Sequence, residues 1–120
     1  VKNQKEQNLL ELIPERIRPF EKEEDGHVSI IQPKFTNKFF IKYLAPRLKN
    51  AYFRIHLDEF GSKVWELCDG QNTIEYIGEQ LHQTFGDKVE PVYERLAAFF
   101  QYLYRLKFIH YTNYVPKSGS

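Results

Sequence analysis

His27, His56, His82 and His110, the single cysteine Cys68, and the adjacent acids Asp58 and Glu59 are the side chains here whose types could do chemistry. A zinc or other transition-metal site would need several of them at ligand spacing. The histidines are instead scattered along the chain, and one thiol cannot complete a thiolate site or a disulfide framework. Cys68 falls on the apolar stripe of a helix, where burial makes a thiol a small inert hydrophobe. Asp58 and Glu59 stand at a helix start, where carboxylates complement the positive end of the helix dipole, so they read as structural acids and not as an acid/base pair. No glycine-rich phosphate loop occurs. The sequence therefore predicts no catalytic residue, no metal site and no cofactor. What it has in surplus is aromatic surface: ten Phe and eight Tyr in 120 residues exceed what one core of this size demands.

The elements that would position such a surface can be read from periodicity and punctuation. Residues 1–15 form a charged extension with one apolar knot, Leu9, Leu10, Leu12 and Ile13, stopped by Pro14. Arg16–Phe20 and His27–Gln32 read as two strands joined by the Glu24-Asp25-Gly26 turn. Lys34, Lys38 and Lys42 recur every four residues beside Phe35, Phe39 and Tyr43, as on a short amphipathic helix within 34–50. Ala51–Leu57 alternates Phe53, Ile55 and Leu57 with Tyr52, Arg54 and His56, the pattern of a half-buried third strand. Three helices follow. The first runs from Asp58 as N-cap to Asp69, with Trp65 in the core and Gly70 ending it. The second is capped by Thr73 and stopped by Gly86. The third starts either with an Asp87/Glu90 capping box or with Pro91 in the first helical position, and continues to Leu106. Phe108–Tyr111 then reads as a short strand or wing.

The third helix carries two apolar stripes. Val92, Leu96, Phe99, Leu103 and Leu106 suffice to seat it on a core. Tyr93, Ala97, Phe100 and Tyr104 form a second stripe about a quarter-turn away. Either that stripe covers the Leu9–Ile13 knot or the wing, or it walls a shallow aromatic slot for a ligand.

The run from Leu57 to Gly70 (LDEFGSKVWELCDG), followed by Thr73-Ile74-Glu75-Tyr76-Ile77, resembles the PqqD family of coenzyme PQQ biosynthesis. Phe85-Gly86, then Val92, Leu96 and Leu103, and finally Leu106-Lys107-Phe108-Ile109 fit that family's last helix and closing wing. The likeness spans 16–111 loosely and 52–109 well. Lys107 stands where such sequences usually have Gly, and 34–50 reads as an insertion between the second and third strands. The resemblance implies an α+β, winged helix-turn-helix-like fold: a three-stranded antiparallel sheet, three helices and a short C-terminal wing over residues 16–111, with 112–120 as a tail. It also implies a non-catalytic role, capturing the leader segment of a ribosomally made precursor peptide for a maturation enzyme, often a radical-SAM enzyme. The candidate peptide-binding residues are Tyr52, Phe53, Arg54, Ile55, His56 and Leu57 on the third strand, and Tyr93, Ala97, Phe100 and Tyr104 on the third helix.

DNA binding is the competing expectation, because a winged helix can also read a major groove. The net charge of +1 argues against it, as does a last helix that sets Glu90 and Glu94 against Arg95 and Arg105 and offers bulky aromatics in place of base-reading donors. Charge is uneven along the chain: Lys34–Leu57 holds six basic residues and no acid, and Asp58–Glu94 nine acids against Lys63 and Lys88. A lone cysteine, no apolar run near the ~20 residues that span a bilayer, and a polar Val1–Glu11 read as a cytoplasmic chain. An exposed third strand would also invite pairing with a second copy, a homodimer.

Overall fold

The computed structural model describes residues 8–33, 42 and 52–114. In chain order these form a 3-10 turn (Leu9–Glu11), β1 (Pro14–Arg16), β2 (Phe20–Lys22), β3 (Val28–Pro33), β4 (Tyr52–His56), α1 (Glu59–Leu67), α2 (Ile74–Phe85), a second 3-10 turn (Gly86–Val89), α3 (Val92–Arg105) and β5 (Ile109–Tyr111). The expected order of a three-stranded antiparallel sheet, three helices and a C-terminal strand is borne out. The basic aromatic segment 34–50 lies outside the described residues, apart from Lys42, which is helical and exposed. The chain divides into two compact units, Arg18–Ser62 and Val1–Ile17 with Lys63–Ser120.

In the unit Arg18–Ser62, β2 and β3 form a hairpin with Phe20 opposite Ile30 and Lys22 opposite Val28. Gly26 makes its turn possible by adopting φ +89°, a conformation costly for residues with a Cβ. β4 pairs antiparallel with the other side of β3, from Ser29↔His56 to Pro33↔Tyr52. Val28 and Ile30 are fully buried, and Leu57 nearly so. The buried Ser62 hydroxyl oxygen accepts from the Val28 N–H at 2.8 Å, which gives that amide a partner beyond the end of the ladder. Asp58 caps α1 as its sequence position predicts: its Oδ1 accepts from the Gly61 N–H at 2.7 Å.

The first strand of the hairpin differs from the expected Arg16–Phe20. Arg16 belongs to β1 and Phe20 to β2, and the two strands sit in separate sheets. A local reading merges them because Pro14–Arg16 takes its partner from the far end of the chain, pairing with β5 as Pro14↔Tyr111, Glu15↔His110 and Arg16↔Ile109.

The unit Val1–Ile17 with Lys63–Ser120 is built around Val64, Trp65, Cys68, Ile74, Ile77, Leu81, Leu96, Phe100 and Leu103, all completely buried. The apolar knot docks on α2: Leu12 is buried and its carbonyl accepts from the Ile74 N–H at 2.9 Å. Arg16 closes the C-terminus of α1, donating from Nη1 to the carbonyls of Trp65 and Glu66 at 2.8 and 2.9 Å, where a cation also favours the helix dipole. Thr73 caps α2 through the Tyr76 N–H at 3.1 Å. At the start of α3 neither expected form occurs. Pro91 is itself the N-cap, and the Glu90 carboxylate accepts from the Val92 N–H at 3.3 Å.

Candidate functional site

β4 is the outer strand of its sheet, and its register decides which main-chain groups face away from that sheet. The Leu57 N–H bonds the Val28 carbonyl at 2.8 Å. Opposed residues in an antiparallel pair alternate between bonded and non-bonded sites. Given Ile30↔Ile55 and Gln32↔Phe53, the N–H and C=O of Phe53 and Ile55 therefore turn inward to β3. On β3 the intervening Ile31 N–H points the opposite way, to the Pro19 carbonyl at 2.9 Å. The main-chain groups of Tyr52, Arg54 and His56 accordingly point outward. No strand pairs with that margin among the described residues.

The two faces of β4 differ in chemistry. Phe53, Ile55 and Leu57 share one face, and burial deepens along it, from 53% exposure at Phe53 to 8% at Leu57. On the other face Tyr52 is exposed, Arg54 is ion-paired with Glu21, and His56 Nδ1 lies 2.7 Å from Ser29 Oγ, whose hydroxyl also contacts Glu23 at 3.1 Å. The apolar face thus has accessible surface still to bury, whereas the polar face has its charged group already matched.

The second stripe of the last helix is split among several surroundings. Tyr93 packs its ring against Gly78 of α2 and donates its hydroxyl to the Glu75 carbonyl at 3.1 Å. Ala97 is half-buried, and Phe100 is completely buried among the core residues. Tyr104, 37% exposed, stacks on Tyr111 of β5 at 5.1 Å. Of the four, Tyr93 and Tyr104 keep substantial exposed surface. The exposed part of α3 sets two side chains of base-reading type, Gln101 and Arg105, among Glu94, Ala98, Tyr93, Tyr102 and Tyr104.

The residues singled out for chemistry do not converge. His82 pairs with Glu90 at 2.8 Å, His110 with Glu15 at 2.5 Å, and His27 lies 3.5 Å from Asp25. No group of three or more metal-ligating side chains occurs among the described residues. Cys68 is completely buried, its thiol donates to the Val64 carbonyl at 3.2 Å, and burial pushes its pKa well above the ordinary thiol range. What sequence reading missed is the division of β4 into inward and outward main-chain groups. The prolines hint at it, since Pro33 cannot donate to a ladder and sits opposite outward-facing Tyr52.

The family model for coenzyme PQQ synthesis protein D (PqqD) matches residues 47–109, just over half of the chain. The chain belongs to the PqqD family. PqqD-family proteins are non-catalytic chaperones. The span matched to PqqD takes in β4 and all three helices and ends at the first residue of β5, so the candidate margin lies inside it. No curated protein and no solved structure matches the chain.

Proposed function

We propose that this PqqD-family chain captures the leader segment of a ribosomally made precursor peptide by adding it as a further strand to β4, and presents the peptide to a maturation enzyme of the radical-SAM type. One observation carries the reading: in a member of a peptide-maturation family, the outer margin of β4 offers the N–H and C=O groups of Tyr52, Arg54 and His56 with no paired strand among the described residues. Unpaired strand margins are templates for an extended partner. Main-chain bonds worth about 0.5 to 1.5 kcal/mol each and an apolar anchor worth ~1.5 to 3 kcal/mol, less the cost of ordering the peptide, leave a weak, reversible association. A carrier that must hand on its cargo needs no more.

The register also selects the test. Proline at Arg54 removes an outward N–H and spares the bonds to β3, a placement that edge strands tolerate. Arg54→Pro is expected to abolish binding of the leader peptide in calorimetry while the fold is kept, and Arg54→Gln to bind as the parent does. Unchanged affinity in a folded Arg54→Pro protein would remove strand addition at β4 as the mechanism.

A further inference from the structure

Strand addition fixes more than main-chain pairing, because side chains of an added strand fall on the same faces as the β4 residues they oppose. This holds whether the partner runs parallel or antiparallel. Ligand residues opposite Tyr52, Arg54 and His56 meet a polar face on which Arg54 is already paired with Glu21 and His56 contacts Ser29. Residues between them meet Phe53, more than half exposed, and half-buried Ile55. A polar side chain there would lose water against the phenyl ring and gain no partner. An apolar one would finish the burial that deepens from Phe53 to Leu57.

Resting on the strand-addition reading above, we infer that this site selects extended peptides bearing apolar side chains two residues apart, seated over Phe53 and Ile55, with polar residues between them. The site reads spacing and apolarity on one face. Arg54 contributes its outward main-chain N–H and C=O to the pairing.

Two synthetic nonapeptides of one composition test this: three valines in a serine and glutamine background, placed at positions 3, 5 and 7 in the first and at 1, 4 and 7 in the second. Only the first puts neighbouring valines on one face. Titration into the full chain, followed by the backbone amide signals of Arg54 and His56, is expected to show the first binding at least tenfold more tightly, with Phe53→Ser erasing the difference and Phe53→Leu keeping it. If both peptides move those amides with equal affinity, strand addition stands and the spacing rule is overturned. If neither moves them, the strand-addition reading falls and takes the rule with it.

Discussion

Tyr93 on α3 occupies the space that a side chain at Gly78 on α2 would need: a Cβ built at Gly78 stands 2.3 Å from the Tyr93 ring. Gly78 has helical geometry and is buried, so its role is close approach and not an unusual backbone angle. Replacing glycine by alanine inside a helix normally adds about 1 kcal/mol of stability. Here the sign is expected to reverse, because overlap with an aromatic ring costs about 1 to 3 kcal/mol. Urea unfolding of Gly78→Ala should show the loss, and in a Tyr93→Ala background the same substitution should become stabilising. A purely additive double-mutant cycle would deny that the ring and residue 78 are in contact.

Lys107 offers the opposite opportunity. It holds φ +62° just after α3, with the Phe108 N–H bonding the Leu103 carbonyl at 2.9 Å and the Lys107 N–H bonding Tyr104 at 3.0 Å. This pair of bonds is a Schellman cap, whose left-handed residue is usually glycine. A left-handed backbone costs a residue with a Cβ about 1 to 2 kcal/mol. Lys107→Gly is expected to raise unfolding stability by about 1 kcal/mol, with no change in circular dichroism.

Those two positions show what the sequence makes legible and what it hides. Lys107 is legible because a helix stop followed by a buried Phe108 demands a cap, and the resemblance marks that turn as a glycine position. The caps Asp58 and Thr73 are legible for the same reason, since local chemistry alone sets them. The Tyr93 and Gly78 contact is hidden because nothing local says that a helical glycine faces a ring fifteen residues on. The pairing of Pro14–Arg16 with β5 is hidden because its partner lies near the other end of the chain. At the candidate site, alternation along Tyr52–Leu57 is visible in the residues. Which groups point outward depends on the register with β3, which only the assembled sheet fixes.

The titration of Cys68 and Tyr111 predicts how stability responds to alkali. Burial holds both protons on: the Cys68 thiol is pushed up by desolvation, and Tyr111 by desolvation and then by its neighbours Cys68 and Tyr104. In the unfolded chain both groups release their protons at ordinary values, about 8.5 for the thiol and about 10 for the phenol. The folded state therefore binds more protons than the unfolded state above that range. The contribution from these groups is complete below about pH 8.5 and falls as pH rises past it. Chemical unfolding at pH 7 and pH 10.5 should show the loss, and Cys68→Ala with Tyr111→Phe should flatten it. A native thiol that reacts with iodoacetamide as fast as free cysteine at pH 8 would contradict the burial of Cys68.

Truncating Phe100 and Tyr104 separates core from surface on α3. Phe100 has no exposed surface, so Phe100→Ala leaves a cavity and is expected to cost about 3 to 5 kcal/mol, a large part of what a domain of this size has to lose. Tyr104 keeps 37% exposure and its resolved aromatic partner is Tyr111. Losing that stack should cost about 0.5 to 1.5 kcal/mol and leave the chain folded. Peptide affinity measured on Phe100→Ala would therefore report a weakened fold, whereas affinity measured on Tyr104→Ala would report the surface. Thermal unfolding of the two variants should differ widely before any ligand is added. Equal, small losses would place Phe100 on an accessible wall and reopen the aromatic stripe of the last helix as a site in its own right.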